Sequence, residues 1–378
     1  APPRTTTTVP RPSDGVLRIG LLVPRSGPGA NLGEPLVRIA EASVELINRA
    51  GGVNGRDVEL VVKDEGGDPA TALGAVDDLI ADENIDAVVG PLSSNIALAV
   101  LPTLATAGIG TCSPAATSAS LDEFPDQGLF VRTTPSDSLA ALAIAQQVAQ
   151  TGVDSTVLAF SDDPFGRDLA TAVRRALAQQ SISIVDEIRY SSTDDDYSDD
   201  VSNLGSSGTD VITILGDGES GARFLSATLL GLDGARVFVN DALAAADLGA
   251  DPAAGTKGLA RVTGVAVDAT SGLDDLYSTL GDLVPDSSGT RTSVVDSTVF
   301  SPFVPSLPPA SPVKSPIPLA VATFDCFNLL ALSAVAAGSD DARIFMTKAI
   351  ATSRGGSACA VFEDCAGLLA TEIGRAHV

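Results

Sequence analysis

From Val16 onward, short apolar runs alternate with longer stretches whose apolar residues recur three and four positions apart. VLRIGLLVP (16–24) reads as a buried strand, followed by a glycine-rich turn, SGPGANLG. LVRIAEASVELINRAGG has helical spacing and stops at Gly51 and Gly52, a C-terminal helix signal. Strands follow at VELVVKD (58–64), DAVVG (86–90) and IGTCS (109–113), with helices at 70–83 and 95–108 between them. Short apolar strands alternating with helices predict a parallel sheet with right-handed crossovers. After LFVRTTPSD (129–137) the series restarts: helix 138–150, strand STVLAFS (155–161), helix 164–180, strands at 182–188 and 210–215, helix 219–231 and strand ARVFVN (235–240). The stretch 259–267 leads out of this second unit. Helical runs at 325–337 and 341–352 are expected to return to the first.

The predicted class is therefore α/β, with two lobes joined by several crossovers. Residues 16–136 plus 268–378 form lobe I, and 137–267 form lobe II. Residues 1–15, rich in Pro and Thr, read as an extended tether. Seven prolines between Pro302 and Pro318 exclude a central strand or regular helix there, so a surface loop is expected.

Charge narrows the partners. The chain has 23 basic and 48 acidic residues, a formal net charge of −25, which repels nucleic-acid phosphates and anionic membrane surfaces. No apolar run is expected to reach the roughly 18 residues of a spanning helix. The single histidine, His377, leaves little for histidine-based triads or metal sites. There is no GxxxxGK[ST] phosphate loop, no GxGxxG after the first strand, no GxSxG and no HExxH. The Asp-rich run at 194–200 lacks calcium-loop spacing and reads as a solvated face. The expectation is no catalysis, no cofactor and no metal.

Four cysteines remain. Cys359 and Cys365 have a spacing that can close a small loop, which would place the protein in an oxidising compartment. Cys112 and Cys326 read equally well as two buried thiols or as a second bridge.

Polar clusters stand at the carboxyl ends of predicted strands, where open α/β sheets bind ligands. PLSSN follows DAVVG, and SPAATS follows IGTC. Hydroxyls and unsatisfied N–H groups at a helix start suit a carboxylate. The competing reading is plain helix capping by Ser94.

The ordered set IGLLVPRSGPGANLG, INRAGGVNGRDVELVVKDEGGDP, VVGPLSS, SPAATS, VRTTPSDSLA, SDDPFGRDLA, FDCFNLLALSA and a C-x5-C near the end resembles the leucine/isoleucine/valine-binding family of type I periplasmic binding proteins. The resemblance implies two Rossmann-like lobes joined by a multi-strand hinge, with ligand in the inter-lobe cleft. It also implies an extracytoplasmic, monomeric solute-binding protein that captures an amino acid by hinge closure and delivers it to ABC transporter permease subunits. Carried over, it implies that Ser93 and Ser94 bind the substrate carboxylate, and that Ala115, Ala116 and Thr117 bind carboxylate and ammonium. Asp241 becomes the acidic partner of the ammonium and Asp217 a further candidate. Phe165 stands where a Tyr is usual, and Leu32 where an aromatic is usual. Asp137 is expected to cap the following helix, with a ligand role as the alternative. Relatives commonly continue past the C-x5-C with a strand crossing back to the second lobe, which the tail ending at Val378 does not match. A ligand sensor of a signalling system, or a binder of a small amide or carboxylate, is the alternative function.

Overall fold

The computed structural model describes residues 13–81, 84–216, 220–244, 258–265, 276, 319–354, 357–371 and 376–377. The chain divides into two units, one comprising Ala1–Ala116, Pro125–Thr134 and Ala269–Val378, the other Thr117–Phe124 and Pro135–Asp268. Each is built on its own five-stranded sheet, parallel throughout.

In the first unit, β1 (Arg18–Val23), β2 (Glu59–Asp64), β3 (Ala87–Val89), β4 (Gly110–Ser113) and β5 (Phe130–Arg132) lie in the order β2-β1-β3-β4-β5. Side chains alternate across the sheet, as a period of two requires. Ile19, Leu21 and Val23 enter one core with α1 (Ala30–Arg49) and α9 (Ala320–Ala337), whereas Leu22 enters the other with α2 (Pro69–Ala81) and α3 (Ser94–Ala107). Both faces are covered, so β1 and β3 are apolar on both sides. Each fully buried Leu or Ile here contributes about 1.5–3 kcal/mol relative to exposure.

The helix α9 extends further than the run expected from periodicity and is, by length and composition, apolar enough to cross a membrane. It is instead a core helix. Phe327, Leu330, Ala331 and Leu332 are buried, and α9 packs against α1 and α10 (Ala342–Ser353). Two further elements, β11 (Ser357–Ala358) and α11 (Phe362–Thr371), precede β12 (Ala376–His377), which pairs with β11.

Both cysteine pairs are bridged, Cys112 to Cys326 and Cys359 to Cys365. The first pins the end of β4 to α9 across 214 residues of sequence, which resolves the open choice between thiols and a bridge.

The second unit repeats the strand order: β6 (Ser155–Ser161), β7 (Ser183–Tyr190), β8 (Val211–Leu215), β9 (Arg236–Val239) and β10 (Val262–Gly264) are arranged β7-β6-β8-β9-β10. Leu158 and Phe160 face α4 (Asp137–Gln150) and α5 (Pro164–Gln179), while Val157 and Ala159 face α6 (Ser198–Ser206) and α7 (Ser220–Gly231). The acidic run read as a solvated face contains the start of α6. Its helical period is carried by Tyr197, Val201 and Leu204, all buried, with Tyr197 edge-on to Tyr190 and Phe224.

The segment Thr117–Phe124 groups with the second unit, whereas the sequence reading ran lobe I unbroken to 136. The reason is local bonding. Asp137 N donates to Thr117 O at 2.7 Å, Ser118 bonds Asp168 of α5, and Ser120 Oγ reaches the same carboxylate at 2.7 Å. The prolines 302–318 and residues 1–12 of the expected tether lie outside the described residues, whereas its last residues are tied down, Asp14 N and Gly15 N donating to Asp340 Oδ2 at 3.1 and 2.8 Å.

Candidate functional site

In both sheets the chain enters at the strand next to one edge, builds the edge strand, then crosses to the other side. The carboxyl edge beside such a switch is where open α/β sheets receive ligands. In the first unit it falls between β1 and β3, in the second between β6 and β8.

The first unit places Ser93, Ser94, Ala115 and Ala116 at the ends of adjacent strands, with Leu32 in the opening turn of α1 beside the end of β1. Helix α3 begins at Ser94, so Ser93 occupies the capping position, and its side chain makes no capping bond. The capping explanation for this turn thus does not account for the Ser93 hydroxyl. Ser94 is itself 8% exposed. Gly90 makes the approach: at φ 111° only glycine is comfortable, and a Cβ would collide with the Leu22 carbonyl oxygen.

Ser113, fully buried at the end of β4, joins the two turns. Its hydroxyl donates to Pro91 O at 2.6 Å and accepts from Ala116 N at 2.9 Å and Ala115 N at 3.3 Å. Ala116 is buried, with its carbonyl accepting from Arg132 Nη1 at 3.3 Å, so both its backbone groups are already engaged. Ala115 is half-buried and packs less tightly. Leu32 packs partly into the core.

Two acids support this edge from β2. Asp64 accepts from Arg25 N, Gly66 N and Ser26 N at 2.7, 2.8 and 3.2 Å. Burial raises its carboxyl, and the bonds from the Ser26 side chain and these amides more than offset that, holding it at about 2. Glu65, 1% exposed, is pushed up to about 8 by burial; the Leu92 amide works against this and the Asp64 charge adds to it.

In the second unit Phe165 is the second residue of α5, just beyond β6, and its ring packs partly against the α4–α5 core. Asp163 caps that helix, accepting from Gly166 N at 2.9 Å. Asp241 opens the short helix α8 (Asp241–Ala244) at the end of β9, with Oδ1 accepting from Ala242 N at 2.9 Å. Asn240 before it is fully buried and closes β9 onto β8 through Gly216. Asp217 lies outside the described residues.

Asp137 does not cap α4. Ser136 does, accepting from Ser138 N at 3.1 Å while its hydroxyl donates to Asp122. Asp137 is the first helical residue, buried at 2% exposure. A groove of about 580 Å³ between α4, α5 and residues 119–123 includes Leu142, Asp168 and Arg175, and none of the expected site residues. No cluster of acidic, His or Cys side chains suited to a metal occurs among the described residues.

Ser113, Glu65 and Asn240 escape notice when each turn is read separately. The available signal is a polar residue closing or following an apolar strand.

Two α/β units of one strand order, each ending in polar turns, have the architecture of two-lobed solute-binding proteins. Residues 16–276 match the family described as periplasmic binding protein, and the chain belongs to that family. It is similar to a Leu/Ile/Val-binding protein homolog of Brucella melitensis, 32% identical over 200 residues, covering 52% of this chain and 53% of the relative. A chemotactic signal transduction system substrate-binding protein of Halobacterium salinarum is 33% identical over 175 residues, covering 44% of this chain and 42% of that one. The chain spans about half the length of these relatives. Among solved structures, an ABC transporter solute-binding protein of R. palustris in complex with 4-hydroxybenzoate matches with a TM-score of 0.66 at 20% identity, covering 88% of this chain and 84% of that one.

Proposed function

We propose that this protein is an extracytoplasmic solute-binding protein that captures an α-amino acid, branched-chain or related, for an ABC importer. The observation that carries the reading is the helix start at Ser94, joined through Ser113 to the Ala115 turn at the switch of a parallel sheet. A carboxylate suits that place through backbone donors and the helix dipole. Supporting it are the family and the Leu/Ile/Val-binding name of the Brucella relative. Ser93, Ser94, Ala115 and Thr117 are the proposed ligand residues of the turns, and Asp241 the ammonium partner. Phe165 and Leu32 supply apolar contact. Ala116 holds its turn in shape. The reading involves no catalysis, since binding alone suffices for delivery to permease subunits. Two disulfides suit an oxidising compartment outside the cytoplasm.

A thermal-shift screen against the common amino acids, small amides and carboxylates tests this, because a ligand of the folded state raises the melting temperature by mass action. A shift with one class of α-amino acid supports the reading. Shifts with 4-hydroxybenzoate or amides alone sink the ammonium role of Asp241.

The chemotactic relative favours a second reading, a ligand sensor. Deleting the gene separates the two: lost uptake of the ligand means transport, whereas normal uptake with a lost response to it means sensing.

A further inference from the structure

One peptide plane beneath the Ser93–Ser94 turn is held at both ends. Its carbonyl, Pro91 O, accepts from the Ser113 hydroxyl at 2.6 Å. Its amide, Leu92 N, donates to Glu65 Oε2 at 3.4 Å. The two gripping side chains come from different strand ends, 22 and 27 residues away in sequence, and are 0% and 1% exposed. Neither bond belongs to the sheet ladder.

We infer that Ser113 and Glu65 are positioning residues that clamp the Pro91–Leu92 peptide and thereby set the direction of the Ser93 and Ser94 donors toward a solute carboxylate. The Pro91–Leu92 peptide can turn as a plane about ψ of Pro91 and φ of Leu92, and such a turn redirects the Ser93 and Ser94 groups that follow. Gripping both its oxygen and its nitrogen removes that freedom before any ligand arrives, and preorganisation of this kind raises affinity without a new contact. The Ser113 hydroxyl is fully used: one donor to Pro91, and its lone pairs to the Ala115 and Ala116 amides. It therefore aligns the second turn in the same act. Burial keeps Glu65 protonated at neutral pH, so its acceptor oxygen comes without a buried charge, a form that glutamine reproduces.

The inference rests on the reading that this turn receives the solute, and two readouts separate the two. The first needs no ligand: amide hydrogen exchange over residues 92–97 of the full chain. Ser113→Ala and Glu65→Leu should each speed exchange there by about tenfold or more relative to the remaining first-unit strands. Glu65→Gln, which keeps the acceptor, should match wild type. The second is calorimetric titration with L-leucine, in which Ser113→Ala should weaken binding by about tenfold and Glu65→Gln should not. Unchanged exchange in both Ser113→Ala and Glu65→Leu overturns the clamp. So does faster exchange in Glu65→Gln equal to that in Glu65→Leu, since packing alone would then explain it. Faster exchange with no change in leucine binding leaves the clamp standing and overturns the assignment of this turn to the amino-acid carboxylate. If wild type does not bind leucine, the same titration is run with the amino acid that gives the largest thermal shift. If none of the common amino acids gives a shift, the assignment falls while the clamp stands. If Glu65→Leu does not fold, Ser113→Ala, which deletes one oxygen, decides.

Discussion

Asn240 and Gly216 bond each other twice. The Asn240 amide nitrogen donates to Gly216 O at 3.0 Å, and its amide oxygen accepts from Gly216 N at 3.0 Å. A side chain here continues the ladder between β8 and β9 beyond the last backbone pair, Ile214 with Val239. Asp241 follows directly, so its placement depends on that link. Asn240→Ala would leave both Gly216 groups unsatisfied in a buried place and should destabilise by about 1–3 kcal/mol. Asn240→Asp should be at least as harmful, because a carboxylate cannot donate to Gly216 O. Urea unfolding of both variants checks the order.

Asp241 itself is partly exposed, and its replacement should affect ligand more than fold. Asp241→Asn should weaken L-leucine binding by roughly tenfold or more, the scale of a lost charge-assisted bond, with melting temperature almost unchanged. Calorimetry of the variant against leucine and against a simple carboxylate reads this directly. Equal losses for both ligands would remove the ammonium role.

The two disulfides should differ in what they contribute. Chain-entropy reasoning gives about 5 kcal/mol for a bridge across some two hundred residues and about 2 kcal/mol for the short loop. The Cys112→Ala/Cys326→Ala double variant should therefore fall well below the Cys359→Ala/Cys365→Ala variant in denaturant midpoint. Both partners of the first bridge are fully buried. Mild reductant applied to the folded protein should accordingly open the 359–365 bridge first, with thiol labelling as the readout.

Stability should fall as pH rises from about 5 to about 8. Burial lifts Glu65 to about 8, Asp86 to about 7 and Asp325 to about 6; the Arg18 amide opposes the Asp86 shift, and the Asp340 and Asp14 charges add to it. The folded state then holds protons that the unfolded chain has released, so unfolding becomes easier with each step of pH in that window. Asp64 acts oppositely: held at about 2, it stabilises above its ordinary value near 3.8, and that contribution is lost as pH falls through about 2. Melting curves at pH 5 and pH 8 test the first window, and Glu65→Gln should flatten the profile at its upper end.

Gly90→Ala should disrupt the first-unit turn. The backbone at φ 111° disfavours any side chain, and the added methyl would meet the Leu22 carbonyl, which β1 holds in place. A loss of about 2 kcal/mol or more is expected, together with loss of any ligand-induced thermal shift.

Alternation of apolar runs with helical periods determined eight of the ten strands of the two five-stranded sheets closely, missing β5 and β10 at the sheet edges, because a parallel strand covered on both faces must be apolar and short. Thus Val16–Pro24 contains β1, and 155–161 coincides with β6. The same reasoning missed α6, where Tyr197, Val201 and Leu204 are separated by Ser198, Asp199 and Asp200 and by Ser202 and Asn203, since periodicity counts polar neighbours against a helix that only one face needs. At the candidate site the turns themselves were legible as hydroxyl-rich segments after apolar strands. The division of labour inside them was not: Ser136 rather than Asp137 caps α4, and Ala116 faces the core.

By itself, then, the sequence determined the local elements, the repeated α/β order and the position of polar turns at strand ends, since each depends on residues within a few positions of one another. Tertiary structure alone decided the partners: Cys112 with Cys326, Glu65 with Leu92, Ser113 with Pro91 and Asn240 with Gly216. Those pairings depend on which strands become neighbours and on how deeply their ends are buried. A hydroxyl or carboxyl removed from water must find whatever group the crossing chain brings within reach, and spacing along the chain carries no record of that.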